Sequence, residues 1–111
     1  MKKGECYRLA AQLVMDNRTY KLVHAEVTGE GSIKGIRYGH AFTTFTDESL
    51  SEWVFDPSGE TVKMRKERYF KRGKINSDEI IEYTSEEVLE NILKYETWGP
   101  WAEKALNWYH G

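Results

Sequence analysis

Between Lys21 and Asp56 the chain alternates apolar and polar side chains in three stretches. A period of two is useful only to an extended strand that buries one face, so this pattern commits the middle of the chain to a sheet. Lys21–Val27 sets Leu22, His24 and Glu26 on one face and Val23, Ala25 and Val27 on the other. Ile36–Thr46, rich in aromatic and β-branched residues, sets Ile36, Tyr38, His40, Phe42 and Thr44 together. Trp53–Asp56 is a third strand, stopped by Pro57-Ser58-Gly59. Thr28–Ser32 reads as a loop, and the polar stretch Asp47–Ser51 reads as a hairpin connection.

Helical periodicity flanks this region. Leu9 with Leu13, and Ala10 with Val14, follow the i, i+4 rule over residues 5–16, with Cys6 one turn ahead of Ala10 on the same stripe. Thr84-Ser85-Glu86-Glu87 has the spacing of a capping box, and Val88, Leu89, Ile92 and Leu93 supply the apolar stripe that follows. Gly99-Pro100 separates that helix from a terminal segment with Trp101, Ala105, Leu106 and Trp108. Residues 60–72 read as further, antiparallel β structure, with a short strand at Ile80–Tyr83. The order helix, strands, helix predicts an α+β fold: an N-terminal helix packed on a mostly antiparallel sheet, with C-terminal helices. The 111 residues suit a single domain, 1–111, because two halves would each have a marginal core.

Candidate chemistry rests on three residues in order. Cys6 is the only cysteine and opens the first helix, where the positive end of the helix dipole favours thiolate. His40 lies in the run Gly39-His40-Ala41-Phe42, and Asp56 ends Trp53-Val54-Phe55-Asp56. Strands joined by a hairpin can bring an imidazole and a carboxylate together, and the Cys6 helix would pack against that sheet. Thiol, imidazole and carboxylate are the nucleophile, base and orienter of covalent acyl chemistry. Each has a plainer reading alone: a buried small hydrophobe for Cys6, a hydrogen-bonded core residue for His40, a turn former for Asp56.

Gly4-x-Cys6 opening a helix, Gly39-His40-Ala41 in a strand and Trp53-Val54-Phe55-Asp56-Pro57-Ser58 together resemble the transglutaminase-like core of the papain-like cysteine enzymes. The resemblance spans about residues 4–59. It implies a Cys6 nucleophile, a His40 base and an Asp56 orienter acting on an amide or related acyl bond of a peptide or protein substrate. Hydrolysis is expected ahead of transfer, since water is always at hand and no second-substrate site is evident. Five residues precede Cys6, which leaves no place for the upstream glutamine of papain-like proteases. The Cys6 backbone N–H is then one oxyanion donor, and the second is unassigned.

The alternative is a non-catalytic binding module of the same fold. Its binding element would be the basic stretch Lys63–Lys74, which carries Tyr69 and Phe70, and its partner a nucleic acid or an acidic protein. The plainer reading of that stretch is a solvated sheet face and hairpin; a net charge of −2 gives no global attraction to polyanions. Cys6, His24, His40 and Asp56 are acceptable zinc ligands but lack paired spacing, so neither a metal nor a cofactor is expected. His110 is expected to fray, and Trp98, Trp101 and Trp108 to close the core. No apolar run reaches a membrane span, and a single cysteine fits a reducing, cytoplasmic setting.

Overall fold

Small side chains decide where the first helix lies. In α1 (Glu5–Asp16) the buried stripe is Cys6, Tyr7, Ala10, Ala11 and Val14, and its two alanines let the helix backbone come close to the sheet. Asn17 ends it, its backbone and side-chain amides both donating to the Leu13 carbonyl. The computed structural model describes residues 5–58 and 61–110, so Gly4 and Gly59, which border the family-like motifs, lie outside the described residues.

The strands follow as β1 (Lys21–Thr28), β2 (Arg37–Thr46), β3 (Glu52–Asp56), β4 (Val62–Arg65) and β5 (Ile81–Tyr83). They form one sheet in the order β4-β3-β2-β1-β5, and every neighbouring pair is antiparallel. The β2–β3 hairpin is set by Asp47, whose carboxylate accepts from the Ser49 and Ser51 amides and from Trp53 Nε1. After β4 the chain crosses the sheet as α2 (Lys66–Arg72) and returns on the far edge as β5. α3 (Ser85–Tyr95) starts with the expected capping box: Thr84 accepts from the Glu87 amide and Glu87 accepts from the Thr84 amide. A short α4 (Glu103–Leu106) follows.

Residues 66–72 correct the β reading of 60–72. Among the described residues of that stretch only Val62–Arg65 is strand; Lys66–Arg72 is helix. Its apolar residues, Tyr69 and Phe70, are adjacent in sequence and show no helical period, but both dock on Phe42, at ring distances of 4.7 and 5.9 Å. Tertiary packing overrides local pattern here. The basic stretch 63–74 is therefore a strand followed by a helix, not a hairpin.

Each face of the sheet carries its own core. α1, Val88 and Trp101 cover Leu22 and Ala41 on one face; Phe70 of α2 covers Val23, Ala25, Phe42 and Val54 on the other. Burying one ring such as Phe42 contributes about 1.5–3 kcal/mol. Trp101 closes the first core as expected, its indole N–H bonded to the Thr97 carbonyl. His110 is not frayed. It accepts from the Tyr7 hydroxyl at 3.4 Å and donates to the Ala105 carbonyl at 2.9 Å. Among the described residues, no helix is long and apolar enough to cross a membrane.

Candidate active site

β2 is twice as long as β3, ten residues against five. β3 therefore pairs with β2 only from Thr43 to Thr46, and the β2 edge is open to β3 at Gly39–Ala41. Two segments come to that edge instead. The Gly39 amide donates to the Tyr109 carbonyl at 2.7 Å, and the Tyr7 hydroxyl sits 2.9 Å from where a Gly39 Cβ would stand. Glycine is needed at 39, because any side chain would collide with Tyr7 and His110.

Cys6 lies near His40. By face alone the two would be apart, since α1 lies over Ala41 while His40 points to the Phe42 side. α1 packs against β2, and the Cys6 thiol is close enough to His40 to favour charge on its ring. Glu5, whose carboxylate would repel a thiolate, is paired with Arg8. Cys6 is buried, 7 % exposed.

His40 and Asp56 meet as the hairpin predicts. With Thr43 opposite Phe55, Asp56 is the next residue out and sits diagonal to His40 on the same face. His40 Nε2 donates to Asp56 Oδ2 at 2.7 Å, with both side chains buried. That bond fixes the ring, leaving Nδ1 as the nitrogen available to the Cys6 sulfur. Among the described residues, the bond to Asp56 is the one side-chain hydrogen bond that His40 makes.

Asp56 has further donors that sequence reasoning did not identify. Ser58 donates to Oδ1 twice, from its amide at 3.0 Å and its hydroxyl at 2.6 Å, and Tyr69 donates its hydroxyl to Oδ2 at 2.7 Å. The Ser58 contact was within reach of the sequence, because an aspartate commonly bonds the amide two residues on. Tyr69 was not, since it arrives on the helix that the pattern concealed. Burial raises the Asp56 carboxyl, but the bonds from His40, Ser58 and Tyr69 outweigh it and hold the group below its ordinary range. Burial likewise opposes charge on His40, yet Asp56 and then Cys6 overcome it and push the imidazole up to about 10. The Tyr69 phenol is driven well up by burial and by Asp56, so it remains a donor.

A cleft of about 320 Å³ opens over this cluster. His40, Asp56, Tyr38 and Tyr69 line it with Val27, Ile33, Val62 and Met64, and the Glu30–Arg72 ion pair (2.7 Å) stands at its exposed rim. A larger depression of about 500 Å³, beside Glu52, Lys66 and Phe70, has no histidine, whereas the smaller one is lined by His40 and Asp56; Cys6 lines neither. Chemistry, not size, selects the smaller one.

His24 does not join the cluster. It stands opposite Ala41 while His40 stands opposite Ala25, so the two rings point to opposite faces. Cys6, His24, His40 and Asp56 therefore do not converge on one ion, and among the described residues no group of three or more such side chains is placed to hold a metal. The basic stretch is partly engaged by its own chain. Lys63 lies over Phe45 and Trp53, Arg65 over Trp53, and Lys66 and Arg72 pair with Glu52 and Glu30. Compared with family models, with curated proteins and with solved structures, the chain gives no match.

Proposed function

We propose that this protein is a thiol-dependent hydrolase, or acyltransferase, with a papain-like, transglutaminase-like core and acting on an amide or related acyl bond. The observation that carries the reading is the buried 2.7 Å bond from His40 Nε2 to Asp56, with Cys6 near enough to favour charge on the ring. Cys6 attacks the carbonyl carbon and forms a C–S bond. His40 holds the thiol proton and returns it to the departing amine. Water, deprotonated by His40, then splits the thioester and frees Cys6. Asp56, held by Ser58 and Tyr69, keeps the imidazole oriented and charged. A peptide or protein is the substrate class that fits an amide chemistry over a cleft with aliphatic walls.

Alkylation by iodoacetamide tests this without a known substrate. At neutral pH the native thiol should react fast, and His40→Gln should slow it about 100-fold. Circular dichroism would verify that the variant is folded. Equal rates in the two proteins, or an inert native thiol, would sink the reading. The binding-module alternative gains no support from Lys63, Arg65, Lys66 and Arg72, which are already engaged within the chain.

A further inference from the structure

Attack on a carbonyl moves a pair of electrons onto oxygen, and two donors usually meet that charge. The first turn of α1 offers the Cys6 backbone N–H as one of them. We propose that the Tyr38 hydroxyl is the other, an oxyanion donor supplied by the same strand as the base. The assignment rests on the Cys6–His40–Asp56 reading above and completes it.

Tyr38 precedes His40 by two residues on β2, so both side chains leave the same face of the sheet. The tyrosine ring meets the imidazole edge-on, with centroids 5.8 Å apart and planes at 71°. It is half-buried and lines the cleft alongside His40. Of the other hydroxyls of that lining, two already donate elsewhere and the third lies at the end of β1, beside Arg37. Ser58 and Tyr69 donate to Asp56, and the Thr28 oxygen is held by Arg37. Burial, with the charges of Cys6, Asp56 and Glu30, raises the Tyr38 phenol above its ordinary range. The phenol therefore keeps its proton at neutral pH.

The chemistry separates this role from simple support. When Cys6 attacks p-nitrophenyl acetate, the sulfur pair forms the C–S bond and the carbonyl π pair goes to oxygen, between the two donors. As C=O re-forms, p-nitrophenolate leaves, and the thiol proton remains on His40. Iodoacetamide is attacked at a saturated carbon: C–S forms, iodide leaves, and no oxyanion arises. A donor to the oxyanion therefore affects the first reaction alone.

Both rates should be measured on the native protein and on Tyr38→Phe, the acylation from the burst of p-nitrophenolate. Removing one oxyanion donor should slow acylation about 100-fold while alkylation stays within about twofold. The low-field proton of the His40–Asp56 bond, seen by NMR, should persist in the variant and so report an intact site. An unchanged ratio of the two rates overturns the proposal. Equal loss of both rates also overturns it, showing that Tyr38 merely supports His40. If the native thiol reacts with neither reagent, the hydrolase reading falls first and this assignment with it.

Discussion

Two histidines are buried in adjacent strands of one sheet, and their environments drive them to opposite charge states. His24 is fully buried among Tyr7, Tyr83 and Trp101, with ring distances of 4.8, 5.1 and 5.4 Å. Neither of its nitrogens has a hydrogen-bond partner among the described residues. Burial, aided by His110, pushes it down to about 3, so it is neutral. His40 is nearly as buried, 6 % exposed, but Asp56 faces it and it rises to about 10. Burial alone would make both neutral. One carboxylate, itself held by Ser58 and Tyr69, reverses the outcome.

Removing that carboxylate is the severest way to break the contrast. Asp56→Asn should turn His40 into a second His24, with its titration midpoint, followed by NMR, falling far below 10. Taking one partner from a buried pair should cost about 3–5 kcal/mol in a urea melt. A midpoint left near its native value would mean that Asp56 is not what charges the ring.

A smaller effect is expected on the other face, with a different pH signature. His24→Phe should raise stability at pH 7 by about 1–2 kcal/mol, since a ring with unbonded nitrogens gives way to an apolar one. His24 has a depressed folded-state value, so its contribution is complete above the unfolded value of 6.5 and lost as pH falls toward about 3. His40 has a raised value, so its contribution is complete below 6.5 and lost as pH rises through about 10. Urea midpoints measured across pH should fall on both sides, with Asp56 protonation adding to the acid side. His24→Phe should flatten the acid limb and leave the alkaline limb unchanged. The reverse result would exchange the roles assigned to the two rings.

The smallest change is Tyr69→Phe, which removes one of the bonds to Asp56. A loss of about 1 kcal/mol is expected. With its negative charge less satisfied, the carboxylate becomes more basic and the His40 midpoint should move up. A downward movement would show that Tyr69 competes with His40 for Oδ2 rather than supporting the pair.

The strands and the capping box were legible because each rests on a local rule: alternation, a short polar connection, the spacing of Thr84 and Glu87. The approach of His40 to Asp56 followed from the hairpin, which needs only that the two strands be neighbours. Four features escaped. α2 is too short and too charged to show a period; Tyr69 belongs to Asp56 only through that helix. That Cys6 comes near His40 depends on how α1 packs against β2, which alternation does not encode. The two charge states were equally hidden, since His24 and His40 each sit in an apolar alternating run and differ only in what lies across space.

The clasp on Gly39 sets an order of events during synthesis. Tyr7 and His110, which grip that residue together, are 103 positions apart. The helix bearing the thiol leaves the ribosome early, yet the carbonyl of Tyr109 that secures the β2 edge emerges last among the groups around the site. At roughly 5–20 residues per second, the intervening chain takes several seconds to appear. Until then the β2 edge at Gly39, next to His40, is without its clasp. The surroundings of Cys6 and His40 are thereby tied to completion of the fold through residue 110, a consequence of topology alone.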